Sequence, residues 1–252
     1  MKVGTRKSLI SAAIMIAIIA VGCAGYLVYR HRRIMELYKE ASKIQFGTAV
    51  VQTDELSHFS GKWVTQLLLQ IAADPDVDPN NAAVAIHALA HRGDASVGEQ
   101  LAEIVQPQTG PGIRKDIVEA LEKMPCDSRC IESILHYFER TWLGLPNGKD
   151  PEGLSMDGLP PGIVREENKE ESEVDEEFYQ LLDKNALTTV HVLVDVYALG
   201  YPNPSEFGLH MVKTLKLKES CPWLRASYVN AVRNADSQNR IKDVMASIGC
   251  FE

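Results

Sequence analysis

Ser8 to Tyr29, SLISAAIMIAIIAVGCAGYLVY, runs for twenty-two residues without one charged side chain. At about 1.5 Å per residue a helix of that length reaches about 33 Å, enough to cross a hydrocarbon core of about 30 Å. Lipid offers backbone amides no partner, so a lone crossing has to be helical. Lys2, Arg6 and Lys7 bound one end of the run; Arg30, His31, Arg32 and Arg33 bound the other. Tyr26 and Tyr29 fall at the second end, where an amphipathic ring suits the lipid–water boundary. Ala13, Ala17, Gly22 and Gly25 are small enough for close helix pairing, although they form no GxxxG motif.

Three fates compete for this segment. The apolar run continues past every candidate cut and ends at RHRR, as a retained signal anchor does. Gly22-Cys23-Ala24 also supplies the small residues of a signal-peptide cleavage site. Ala20-Val21-Gly22-Cys23 resembles a bacterial lipobox with Cys23 as the lipidated residue. Ala stands there where Leu is usual, and apolar AGYLVY follows in place of a polar tether. Basic side chains are nearly balanced across the segment, so charge bias alone leaves its orientation open.

The rest of the chain has the opposite character. The whole chain carries −8 and residues 1–33 alone carry +6, so residues 34–252 carry −14. Such a body repels nucleic acid phosphates, and no basic stripe is present to bind them. Residues 1–7 form a basic flank, 8–29 the expected transmembrane anchor and 30–52 a juxtamembrane helix or linker. Residues 53–143 and 175–252 are two stretches of helical pattern, separated by residues 144–174.

From Ile34 onward Leu37, Tyr38, Ala41 and Ile44 keep helical spacing and can simply continue the anchor. Thr53 or Asp54 can cap a helix striped by Leu56, Phe59, Trp63, Leu67 and Ile71. It ends at Asp74-Pro75. Asp78-Pro79, a cap and a first-turn proline, opens the alanine-rich helix that follows. Further helices are expected at Val97–Val105, Ile113–Met124 and Cys130–Leu143. Five glycines and four prolines then fall between Gly144 and Gly162. EENKEESEVDEE follows, with eight acids in twelve residues. That composition cannot bury enough apolar surface to offset ordering entropy, so residues 144–174 are expected to be a mobile acidic insertion, with helix resuming near Asp175. Helix breaks again near Asn185, and three helices close the chain.

Cys126, Cys130, Cys221 and Cys250 make an even count, and disulfides are expected if the body lies outside the cytoplasm. Two helices of near-equal length separate Cys221 from Cys250, and an antiparallel hairpin brings both cysteines to the same end. Cys126 can bridge Cys130 only from the preceding turn. Idle thiols in a cytoplasmic domain are the alternative.

Ala88-Leu89, Ala120-Leu121, Ala198-Leu199 and Ala231-Val232 recur at intervals of 32, 78 and 33, each near the end of an expected helix. Ile113-Arg114 precedes Ala120 by the interval at which Leu224-Arg225 precedes Ala231. The small residue lets paired helices approach, and the arginine is expected near the surface, meeting carbonyls or acids. This pattern resembles the short HEAT-like repeats related to those of phycobilisome lyases, over Asp78–Trp142 and Thr188–Cys250. The resemblance implies an all-α chain in which a right-handed α-solenoid of antiparallel helix pairs follows the anchor, with a concave side that binds a partner. An irregular helical bundle is the bland alternative.

Few residues have a claim on chemistry. His87 and His91 lie one helical turn apart, as zinc ligands can, but no HExxH surrounds them and no third ligand is evident. Asp74-Pro-Asp-Val-Asp78 imitates an EF-hand start, yet Pro79 and Ala85 occupy the places of the required Gly and Glu. Cys126, Cys130 and His136 lack a fourth metal ligand. GxSxG, P-loop, GxGxxG and kinase motifs are missing from the sequence, and no cofactor is called for. Trp63, Trp142 and Trp223 are expected in the core. These features imply a single-pass membrane scaffold that binds a protein partner, with its body extracytoplasmic (periplasmic or lumenal). An accessory or lyase-like enzyme using a groove between repeats, or a structural subunit of a larger membrane complex, are the alternatives.

Overall fold

A computed structural model describes residues 3–42, 49–93, 95–106, 109–143 and 169–250. Among them the chain is all-α: twelve α-helices and one 3₁₀ turn, with no strand. It divides into two compact units, Met1–Ala85 and Ile86–Glu252. The expected insertion lies outside the described residues from 144 to 168.

The first unit is built on α1 (Val3–Ala41), 39 residues long, so the apolar helix continues past Tyr29 as far as Ala41, while Ile44 lies outside the described residues. Ile34, Leu37 and Ala41 are buried on one face of it. Against that face pack α2 (Ala49–Ser57) and α3 (Lys62–Ala73). One helix capped at Thr53 or Asp54 was expected here, and two are present. Gly61 holds φ at +119°, a conformation that side chains resist, so the chain turns sharply between Ser57 and Lys62. Thr53 and Asp54 therefore sit inside α2, where Thr53 is buried. Among the described residues no helix is long and apolar enough to cross a membrane. The side chains of residues 3–14 lie outside the description, so the described part of the apolar run starts at Met15, seven residues into Ser8–Tyr29.

Helix α4 (Pro79–Arg92) starts as its sequence predicts: Asp78 Oδ1 accepts from the Asn80 amide at 2.8 Å. The second unit continues through α5 (Ala95–Ile104), α6 (Pro111–Lys123), α7 (Ser128–Trp142), α8 (Lys169–Lys184), α9 (Ala186–Val196), α10 (Glu206–Leu215), α11 (Cys221–Asn230) and α12 (Ala235–Ile248). Helices two places apart in the chain pack together. One set runs α5, α7, α9; the other runs α6, α8, α10, α12. A 3₁₀ turn at Lys218–Ser220 touches α9 and leads into α11. The rows are joined by sequence neighbours such as α5 with α6 and α11 with α12.

Three expectations need correction. Helix resumes at Lys169, six residues before Asp175. Glu and Lys are good helix formers, and acids in a first turn favour the positive end of the helix dipole, so a charge run is no barrier to helix. Ala198-Leu199 and Ala231-Val232 are not inside helices as Ala88 and Ala120 are. Ala198 takes φ +57° just beyond α9, and Ala231 follows the end of α11. Finally, Arg114 is only 2% exposed instead of superficial. Its Nη1 donates to the Tyr137 hydroxyl, which donates to Asp175 Oδ1 at 2.8 Å. Arg225 does meet a carbonyl, that of Cys250, at 2.5 Å.

The Arg114 cluster joins α6, α7 and α8 through a charge removed from water. Taking away the carboxylate that faces a buried cation costs about 3–5 kcal/mol, whereas replacing the cation by an apolar side chain of similar volume costs far less. Asp175→Asn is therefore expected to destabilise the chain by about 3 kcal/mol and Arg114→Met by less, read from urea unfolding. The reverse order would show that Asp175 does not balance the guanidinium.

Candidate functional site

Helix α7 gathers the densest group of polar side chains in the second unit. Asp127 caps it, accepting from the Arg129 and Cys130 amides at 3.1 Å each. Ile131, Ile134, Leu135 and Phe138 are buried on its inner side. Glu132, His136 and Glu139 recur at i, i+4 and i+7 on a more exposed face, one above another as helical spacing requires. Tyr197, just past the end of α9, brings its hydroxyl to the same place. That hydroxyl donates to Glu139 Oε2 at 3.1 Å and lies 3.2 Å from His136 Nδ1. His136 Nδ1 stands 3.3 Å from Glu139 Oε2, and its Nε2 stands 3.7 Å from Glu132 Oε1. Arg140, one residue on, donates to Gln106 Oε1.

Gly208 lets α10 approach Tyr197 closely: a Cβ there would meet the Tyr197 Cβ at 3.0 Å, tighter than ordinary van der Waals contact. Phe207 then tilts onto Tyr197 at 5.1 Å, and Trp142 reaches both Phe207 (6.0 Å) and His210 (5.9 Å). The group is thus a shared carboxylate with two donors, edged by aromatic rings. The hydrogen bond to Glu139 holds the His136 pKa above the usual histidine range, while burial opposes it. Burial, then the Glu139 charge, pushes the Tyr197 hydroxyl far up, so Tyr197 stays a donor at any ordinary pH. The arrangement can store and release a proton at His136.

The residues singled out by sequence are dispersed. His87 Nε2 lies 3.3 Å from Asp116 Oδ1, while His91 is exposed one turn further on. Burial raises the Asp116 pKa and His87 opposes the rise. No three His, Cys, Asp or Glu side chains among the described residues could hold a metal ion together. The sulfurs of Cys221 and Cys250 are 2.01 Å apart and those of Cys126 and Cys130 are 2.10 Å apart, both at disulfide distance. Cys126 lines an open cleft of about 270 Å³ with Glu122, Pro125 and Lys184. Cys23 is free and exposed. The three tryptophans are not core residues: Trp63, Trp142 and Trp223 are 39%, 43% and 38% exposed. Trp63 stacks on His31, and Trp142 lies beside Phe207 and His210. Tyr201, Val229 and Val232, all in or near α11, are exposed at 62%, 66% and 69%.

The Glu132, His136, Glu139 spacing was visible in the sequence. Tyr197 was not, because it arrives from 58 residues away. Comparison with protein-family models, curated proteins and solved structures gives no match to this chain. Inference about function therefore draws on the chain's own geometry.

A histidine whose folded pKa is raised stabilises the fold when protonated. That contribution is fully present below the unfolded value of 6.5 and is lost as pH rises through the higher folded value. The melting temperature of the native chain should exceed that of His136→Gln at pH 5.5 and converge on it by about pH 8.5. An equal difference at both pH values would mean that His136 contributes packing and not charge.

Proposed function

We propose that this chain is a single-pass, membrane-anchored scaffold whose helical-repeat body holds a protein partner beside the bilayer. The observation that carries the reading is the bare half of α1. Nine large apolar side chains between Met15 and Tyr29 are 55–73% exposed, including Ile16, Val21 and Tyr29. A contiguous apolar surface of that kind is held out of water by something, and the charge-free run from Ser8 has the length a bilayer requires. The same helix ends in the core of the first unit, so the anchor reading joins the apolar run to that unit through continuous helix.

The packing of helices two places apart supports a HEAT-like α-solenoid, in which each helix pair buries its apolar face on the next. Exposed Trp223, Val229 and Val232 at the end of that series support a protein partner, since uncovered apolar groups there are available for docking. Two cysteine pairs at disulfide distance support an extracytoplasmic body, where such bonds persist. No observation favours the accessory-enzyme alternative. Cys126, which lines a cleft, is bonded to Cys130, and His87 is engaged by Asp116.

Two measurements test this proposal. Washing membranes at alkaline pH should leave the full chain in the pellet, and its release would remove the anchor. A photoreactive residue at Val229 should give a discrete protein adduct in native membranes that the same probe at exposed Lys242 does not give. Identical labelling from both positions would defeat the partner assignment.

A further inference from the structure

The turn between α2 and α3 is fastened to the first turn of α1 beyond the apolar run. Arg30 Nη2 donates to the Ser60 carbonyl at 2.7 Å, and its guanidinium lies 6.0 Å from the centre of the Phe59 ring. His31 stacks on Trp63 with ring centres 4.7 Å apart and 15° between planes. Arg33 grips Glu55 through both nitrogens, at 2.8 to 3.1 Å. These contacts fix the direction of α2. It runs back along α1, so the residues after it, His58 to Trp63, are the part of the first unit beside the end of the apolar run. Arg30 follows Tyr29 directly, and Arg30 to Arg33 covers only about 5 Å of helix axis.

The composition of that turn suits a lipid headgroup layer. From Leu56 to Ala73 there is no acid, while Lys62 is present. His58, Ser60, Gly61, Lys62 and Trp63 are exposed, and Phe59 is half-buried. On α1 the first acid is Glu36. The basic collar is divided in its duties. Arg30 and Arg33 are engaged by Ser60 and Glu55, while Arg32 is exposed beside them.

We propose that Phe59–Trp63 is a membrane-docking surface: Trp63 and Phe59 sit in the interfacial layer, and Arg32 with Lys62 meets the phosphates of anionic phospholipid. The inference rests on the anchor reading above and extends it from the helix to the body. Aromatic rings with one polar edge settle at the boundary between hydrocarbon and water, and each cation near an anionic leaflet adds attraction. The occupant is lipid and not protein because the turn lies where the charge-free run of α1 gives way to basic side chains.

The test uses the full chain with Trp142→Phe and Trp223→Phe, leaving Trp63 as the sole tryptophan, in phosphatidylcholine–phosphatidylglycerol vesicles. Bromine placed on the lipid chain near the glycerol should quench Trp63 about twofold more than bromine near the chain ends. Arg32→Glu with Lys62→Glu should reduce that quenching, and vesicles of phosphatidylcholine alone should do the same. Trp63 that ignores both bromolipids and is quenched freely by aqueous iodide overturns the docking surface. If the chain then survives an alkaline wash, the anchor stands without it. Release of the chain by the wash overturns both.

Discussion

A helix that does not break transmits position from one end to the other, and α1 joins an exposed apolar stretch to a buried face. Its apolar half is exposed around its circumference, while Ile34, Leu37 and Ala41 of its last turns are buried by α2 and α3. Burial of those three side chains fixes the rotation of the helix about its own axis, and the Arg33–Glu55 pair fixes the register. Arg33 is exposed enough for water to screen that pair, so its contribution is geometric more than energetic. At the far end, the Asn81 side chain donates to the Ala41 carbonyl at 3.4 Å, meeting one of the carbonyls a helix leaves open at its C-terminus. The first unit is therefore a short hairpin wrapped on a helix that already has a direction.

The second unit solves a different problem. Its helices are short, between 10 and 16 residues, and no one of them can bury its apolar face alone. Packing on the helix two places away gives α7, α8 and α10 a neighbour on either side, while sequence neighbours such as α5 with α6 join the two rows. Charge enters this core at Arg114, where the Tyr137 hydroxyl lies between the guanidinium and the Asp175 carboxylate. Burial, with the Asp175 charge adding to it, pushes the Tyr137 pKa well up, so the hydroxyl keeps its proton and the relay its direction. At the other end of the unit the Cys221–Cys250 bond spans 29 residues and ties the start of α11 to the end of α12. The bond constrains the terminal hairpin against fraying where no further helix follows among the described residues.

Local signals in the sequence carried most of the helical architecture. Asp78-Pro79 and the Asn185 break fall where cap and breaker chemistry put them, while α6 starts at Pro111, two residues before the expected Ile113. The hairpin that pairs Cys221 with Cys250 followed from helix lengths alone, its two helices joined through residues 231–234. What failed was whatever depended on tertiary context. The Leu56 to Ile71 stripe keeps helical period across Gly61, and period cannot report a turn that leaves the apolar face aligned. Arg114 has the same local sequence setting as Arg225, yet one is buried against Tyr137 and Asp175 and the other is exposed and meets the Cys250 carbonyl, a difference set by which residues the packed helices bring to each. The α7 cluster was half legible: helix spacing aligns Glu132, His136 and Glu139, while Tyr197 is supplied by the packing of α9 on α7.

Charge is distributed along this chain as sharply as hydropathy. Residues 1–33 hold six cations and no acid, whereas residues 34–252 carry −14. On an anionic bilayer these regions feel opposite forces, attraction confined to within about 10 Å of the surface and repulsion of everything acidic beyond it. A body attached by a flexible linker would drift away from such a surface. Here α1 runs unbroken from the apolar run to Ala41 in the first unit, and the turn after α2 is held against the basic collar by Arg30 and His31. Within the first unit the cations of the collar and the acid-free turn therefore lie together.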